Sequence, residues 1–158
     1  MTFDRLQLRN AFGRFATGVC VITANPEGFD PLGMTINSFS SVSLDPPLLL
    51  WSLQNDSECV PAFNASKRFA VNILTSEQRE LSKQYARKGE HTLQPDHFRI
   101  GATGLPILCD TLASFECELW QSYEGGDHVI LVGKVLAVEH GGEAKPLLFF
   151  SGAYQDIQ

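Results

Sequence analysis

The sequence predicts a mainly β protein, a small barrel of antiparallel strands with two to three flanking helices. Three observations carry that prediction. Short β-branched or alternating runs recur along the chain and stop at turn-forming residues. Helical spacing or a helix cap is confined to a few brief segments. The last third is a succession of alternating strands and tight turns, the pattern of an antiparallel meander. No internal repeat or linker interrupts the chain, so residues 1–158 read as one domain.

Taken in order, Leu8, Ala11, Phe12 and Phe15 recur at three- and four-residue spacing and predict a short amphipathic helix ending near Gly18. Val19 to Ala24 is a β-branched first strand that stops at Asn25-Pro26-Glu27-Gly28. Leu32 to Ser43 reads as a second strand, and Asp45-Pro46-Pro47 separates it from a third over Leu48 to Leu53. Ser57 is positioned to cap a short helix over Glu58 to Ala65, with Pro61 tolerated in its first turn. Arg68 to Leu74 is the next strand. Thr75-Ser76-Glu77-Gln78 has the capping-box form, and Leu81 and Tyr85 continue a helix toward Gly89. Glu90 to Asp110 reads as loop with one or two short strands. Ala113 to Gln121 alternates, with Phe115, Cys117 and Leu119 on an apolar face and Ser114, Glu116 and Glu118 on a polar one. His128 to Val138 and Leu147 to Phe150 complete the meander.

Composition narrows the function. With 158 residues, 44% hydrophobic and 19% charged, the chain can bury a core without disulfides or metal. A net charge of −6 and no basic run argue against nucleic-acid binding. No apolar stretch approaches the ~20 residues of a membrane span, and the amino terminus lacks the apolar core of a signal peptide. The expected setting is soluble and cytoplasmic, with no membrane partner. Cys20, Cys59, Cys109 and Cys117 form no metal-binding or redox pattern and read as reduced core thiols. His91 and His97 lie in a polar loop without a ligand pattern and read as surface histidines, so no metal site is expected.

Dinucleotide, P-loop, nucleophile-elbow and zinc-protease signatures are absent. The window Gly33 to Ser43 is the most unusual, holding five Ser or Thr hydroxyls and the Asn37 carboxamide. Buried bare, such a run costs stability. Two accounts compete: an edge strand showing hydroxyls to water, or a strand gripping a planar polar ligand. Gly125-Gly126-Asp127-His128 has two readings too, a plain hairpin turn or a turn that places His128 as a polar group on a barrel rim. Gly133, in mid-strand, signals a bulge or a close approach to the backbone.

The segments LRNAFGRFATGVCVIT, GMTINSFSSVSLDPPLLLWSL, FAVNIL, GLPIL, ASFECELW, GGDHVILVGKV and PLLFFSGAY occur in an order that resembles the flavin reductase family with the FMN-binding split-barrel fold. The resemblance spans about residue 7 to 155. It implies an NAD(P)H:flavin oxidoreductase that passes hydride from NADH to FMN or FAD and supplies reduced flavin to a partner monooxygenase. Also implied is a homodimer in which two protomers share the wall of each flavin site. Residue by residue, Thr35, Ile36, Asn37, Ser38 and Ser41 would lie along the ring and ribityl chain. Ser52, Leu53, Asn55 and Ser57 would lead to the phosphate, and Asp127 and His128 would sit beside the nicotinamide. His128 is the one catalytic candidate. The family's terminal tyrosine- and arginine-rich motif is replaced by Phe149-Phe150-Ser151-Gly152-Ala153-Tyr154-Gln155, which favours NADH over NADPH. The alternative reading is an FMN-binding electron carrier without nicotinamide turnover. A pyridoxamine-phosphate oxidase relative on the same barrel is disfavoured, since it would want more basic residues at a phosphate site.

Overall fold

The computed structural model describes residues 2–158. The chain opens with α1 (Arg5–Phe12), β1 (Thr17–Gly18), β2 (Cys20–Ala24), β3 (Leu32–Ile36), β4 (Ser40–Leu44) and β5 (Pro47–Gln54). It continues through α2 (Val60–Ala65), β6 (Arg68–Ile73), a 3₁₀ turn and α3 (Arg79–Tyr85). The last part holds β7 (Phe98–Ile100), β8 (Pro106–Leu108), β9 (Ala113–Gly125), β10 (His128–His140), β11 (Leu148–Phe150) and β12 (Ala153–Gln155).

Seven strands form the main sheet in the order β3-β2-β6-β9-β10-β5-β4, and β1, β11 and β12 make a small second sheet. The main sheet must curl. Its edge strands β3 and β4 are joined through residues 37–39 alone, a link that spans at most about 14 Å. Seven flat strands would hold those edges about 29 Å apart, six gaps of about 4.8 Å. The result is a rolled antiparallel sheet with a seam between β3 and β4, where the unbroken strand expected over Leu32 to Ser43 divides in two.

Inside the roll, Trp51 is fully buried and packs edge-on against Phe63 and Phe69, at 5.1 and 5.6 Å between ring centroids. Gly133 lets β10 pass this cluster: a Cβ there would lie 2.7 Å from Phe69 Cζ, and the β9–β10 register shifts between Val132 and Gly133. Both readings of that glycine, bulge and close approach, hold. A second cluster of Val19, Val21, Leu74, Tyr85 and Leu147 seats α3 on the outside of the sheet.

Several further expectations need correction. α1 ends at Phe12 with Gly13 as its cap, short of Gly18, and it buries no residue; Phe12 and Phe15 are 71% and 79% exposed. Glu116, expected on a polar face, is 2% exposed, because the Gly101–Leu105 segment folds over it. Its Oε1 accepts from Thr103 N–H and Oγ1 at 2.9 and 2.6 Å, which satisfies the buried carboxylate. His97 is no free surface group: its Nδ1 lies 2.7 Å from the buried Tyr85 hydroxyl. His91 is braced as well, as described below. The Thr75–Gln78 box forms, with Gln78 Oε1 accepting from Thr75 N–H at 3.0 Å, but it caps the 3₁₀ turn Ser76–Gln78 that precedes α3.

Candidate functional site

Alternation along β5 sets the site. Trp51 and Leu53 point into the core, which leaves Ser52 and Gln54 on the opposite face, toward the seam. Across from them run the last residues of β3 and the link to β4. Between these walls lies a cleft of about 260 Å³ lined by Met34, Thr35, Ile36, Asn37, Ser38, Ser52, Gln54, Ser57 and His128. Asn37 and His128 also line an adjoining cavity of about 800 Å³, whose other walls include Arg9, Arg14 and Thr17.

Ser38 ties the walls together, its Oγ accepting from Ser52 N–H at 2.9 Å and donating to Ser52 O at 3.3 Å. The Thr35 hydroxyl is committed to the scaffold, donating to Ser82 O of α3 at 2.6 Å. Ser57 Oγ accepts from Cys59 N–H at 3.1 Å and rests 3.6 Å from Met34 Sδ. α2 begins at Val60, so Ser57 caps the turn before it rather than the helix itself. Asn55 is exposed; its Nδ2 donates to Gly126 O at 3.1 Å and its N–H to Asp127 O at 2.9 Å. That pins the end of β5 to the β9–β10 turn, where Gly126 adopts φ +72°.

His128 opens β10 opposite Gln54. Its Nδ1 lies 2.7 Å from Asp127 Oδ1, and the imidazole holds the Asp127 carboxyl below its ordinary value. Because a carboxylate only accepts, Nδ1 carries the hydrogen and Nε2 is the ring's free polar end. No metal-holding group of His, Cys, Asp and Glu occurs among the described residues. Burial pushes the Cys20 and Cys117 thiols up to about 12 and Cys59 to about 11, which removes them as nucleophiles.

The cleft therefore gathers Thr35, Ile36, Asn37, Ser38, Ser52, Ser57 and His128 from the sequence-derived set. Asp127 and Asn55 brace its rim. Leu53 is buried at 2% exposure, so its side chain cannot face a ligand and only its backbone is offered. Ser41 is exposed on β4 and is not among the residues lining the cleft. Gln54 and Met34 were missed, though the period of two in β5 already puts Gln54 beside Ser52. Arg9, Arg14 and Thr17 carried no such signal, because nothing in the sequence folds the amino-terminal segment back toward His128.

Asn37, Gln54 and the Ser52 hydroxyl make no side-chain hydrogen bond among the described residues, so their polar groups stay available. Thr17 Oγ1, on the wall of the adjoining cavity, is buried without a partner among the described residues.

Residues 12–158 match the family model of the flavin reductase like domain. The chain is 46% identical over 147 residues to the FMN reductase (NADH) SmoA of Agrobacterium fabrum, covering 92% of this chain and 82% of that protein. It is 40% identical over 148 residues to the reductase component of the flavin-dependent trigonelline monooxygenase of Acinetobacter baylyi, covering 94% of this chain and 47% of that one. A probable flavin reductase of Rhizobium meliloti, 46% identical over 140 residues covering 89% of this chain, is also about twice as long, the chain spanning 45% of it. The structure of the NADH:FAD oxidoreductase SgcE6 of Streptomyces globisporus, in complex with NAD and FAD fragments, superposes with a TM-score of 0.91 at 35% identity, covering 98% of this chain and 93% of that one. Sequence and three-dimensional course lead to one conclusion: the chain belongs to the flavin reductase-like family.

Proposed function

We propose that the protein is an NADH-dependent flavin reductase that reduces FMN or FAD and passes the reduced flavin to a separate monooxygenase. The observation that carries this reading is that Asn37 and His128 line both the seam cleft and the larger cavity beside it. One side can hold a flat ring while the other admits a second, bulkier ligand against it. When both are bound, flavin and nicotinamide supply the hydride chemistry, which needs the two rings at about 3 to 3.5 Å.

What remains for the chain is positioning. Ser38 fixes the width of the cleft, and Asn37, Ser52 and Gln54 offer hydrogen bonds to a ring edge or a ribityl chain. Asp127 orients the His128 ring so that Nε2 can hold the nicotinamide carboxamide at the junction of the two spaces. No proton transfer through His128 is required by this role. Arg9 and Arg14 line the larger cavity and give it positive charge suited to a dinucleotide's phosphates.

A homodimer belongs to the same proposal. Leu6, Phe12 and Phe15 on and after α1, together with Val42 and Leu44 on β4, are exposed and apolar, Leu44 at 96%. Burying such a surface in a second copy relieves a cost that a lone chain bears. The interface should exceed about 1,000 Å² in total. Sedimentation at micromolar concentration should give twice the chain mass.

Steady oxidation of NADH that depends on added FMN or FAD tests the activity. A bound yellow cofactor with no NADH oxidation would favour the electron-carrier alternative.

A further inference from the structure

The two walls of the cleft are also joined from outside, by a histidine the reaction does not use. His91 follows the turn that closes α3, and its backbone runs beside β3, with Gly33 N–H donating to His91 O at 2.8 Å. Its ring bridges two elements. Nδ1 lies 3.0 Å from Gly33 O, and Nε2 lies 3.0 Å from Glu58 Oε1. Gly33 stands two residues before Thr35 on one wall, and Glu58 directly follows Ser57 on the other. The same Glu58 oxygen accepts from Gly89 N–H, which anchors the carboxylate to the turn that carries His91.

Both partners of the ring can only accept. A carbonyl and a carboxylate engaged at once require a hydrogen on each ring nitrogen, so the full bridge exists only for the imidazolium. The neutral ring has one hydrogen and must release one wall. Of the charged and titratable groups around it, Asp30 from the turn before β3 and Cys59 ahead of α2 share its pocket with Glu58. Glu90, on its own segment, is paired with Arg87 at 3.4 Å. The His91 side chain is 15% exposed and that of Glu58 34%, so the bridge is shielded from water at its histidine end.

We propose that His91 is a positioning residue that clamps the cleft through Gly33 and Glu58 and thereby sets flavin affinity, the clamp closing when its ring is protonated. The proposal rests on the flavin reading of the cleft. By linkage, a ligand that prefers the clamped walls binds more tightly as pH falls, and its binding in turn favours the protonated ring.

The test is titration of FMN into apoprotein, followed by flavin fluorescence, from pH 5.5 to 8.5. Wild-type affinity should fall about fivefold or more across the range, the lower end of usual couplings. Glu58→Ala removes the carboxylate and leaves Nε2 without a polar partner on that wall. It and His91→Gln should bind FMN with the weaker, high-pH affinity throughout. Titration of the FMN phosphate is common to all and cancels in the ratio of variant to wild type. In turnover, Glu58→Ala should raise KM for FMN and leave kcat at saturating flavin unchanged, and His128→Ala should keep the pH dependence of FMN binding. The clamp is overturned if both variants bind FMN as wild type does at every pH, or if His128→Ala abolishes the dependence. Wild-type protein that binds neither FMN nor FAD at any pH would overturn the flavin reading, and the clamp with it.

Discussion

Ser38→Ala separates a scaffold role from a ligand role within the cleft. The hydroxyl makes two hydrogen bonds to Ser52, at 2.9 Å and 3.3 Å, across the seam between β5 and the β3–β4 link. A neutral intramolecular hydrogen bond contributes about 0.5–1.5 kcal/mol net, so two contribute about 1–3 kcal/mol. One of the pair is long and both residues are only half-buried, so water can replace part of the loss and the expected cost is about 1–2 kcal/mol. At about 1.4 kcal/mol per tenfold, the same loosening should weaken FMN binding by up to about thirtyfold. Ser52→Ala is the control, because that hydroxyl lines the cleft without an internal partner. Its stability should stay within about 0.5 kcal/mol of wild type, while FMN affinity falls by a few-fold. Urea unfolding followed by tryptophan fluorescence, with FMN titration alongside, reads both. Should Ser38→Ala unfold at the wild-type urea concentration and bind FMN normally, the seam argument is wrong.

Other outcomes follow from particular contacts. Gly133→Ala puts a methyl 2.7 Å from Phe69 Cζ and 3.0 Å from Cys117 Cβ, so it should lower stability by about 1–3 kcal/mol and depress Tm in calorimetry. In native protein at pH 8, a thiol reagent should modify Cys109 first and leave Cys20, Cys59 and Cys117 until the chain unfolds, since burial raises those three thiols far above that pH. Asp127→Asn should raise KM for NADH with FMN affinity kept. Because the His128 contact lowers the Asp127 carboxyl, that contact is complete above the usual carboxylate range and is lost as pH falls through the depressed value. A KM profile that ignores this substitution would remove the Asp127 brace.

Much of this was legible in the sequence, for reasons that particular residues show. The alternation of Phe115, Cys117 and Leu119 and the turn Gly125–His128 lead directly to the β9–β10 hairpin, because period and turn chemistry are local. The hydroxyl window was legible as unusual and residues 34–38 do line the cleft, though which hydroxyls serve the scaffold was not legible. Thr35 and Ser38 bond to residues 47 and 14 positions away, and only the rolled sheet brings those partners into reach. Glu116 was misread because the covering segment, Gly101 to Leu105, has no period of its own and closes over the strand through Thr103. His91 carried no motif at all, since both its ring partners are distant in sequence. The amphipathic stripe of α1 was legible, but none of the described residues buries it, and Phe12 and Phe15 stay exposed.

The central claim is that the protein positions two ligands and leaves the chemistry to them. Stopped-flow mixing of the FMN-loaded protein with NADH tests it most directly, with loss of the flavin's visible absorbance followed in wild type and in His128→Ala. The account predicts rapid reduction in the wild type with one NADH consumed per flavin. In the variant it predicts slower reduction and a raised KM for NADH, with FMN affinity unchanged. FMN that binds in the wild type and is not reduced by NADH would contradict it.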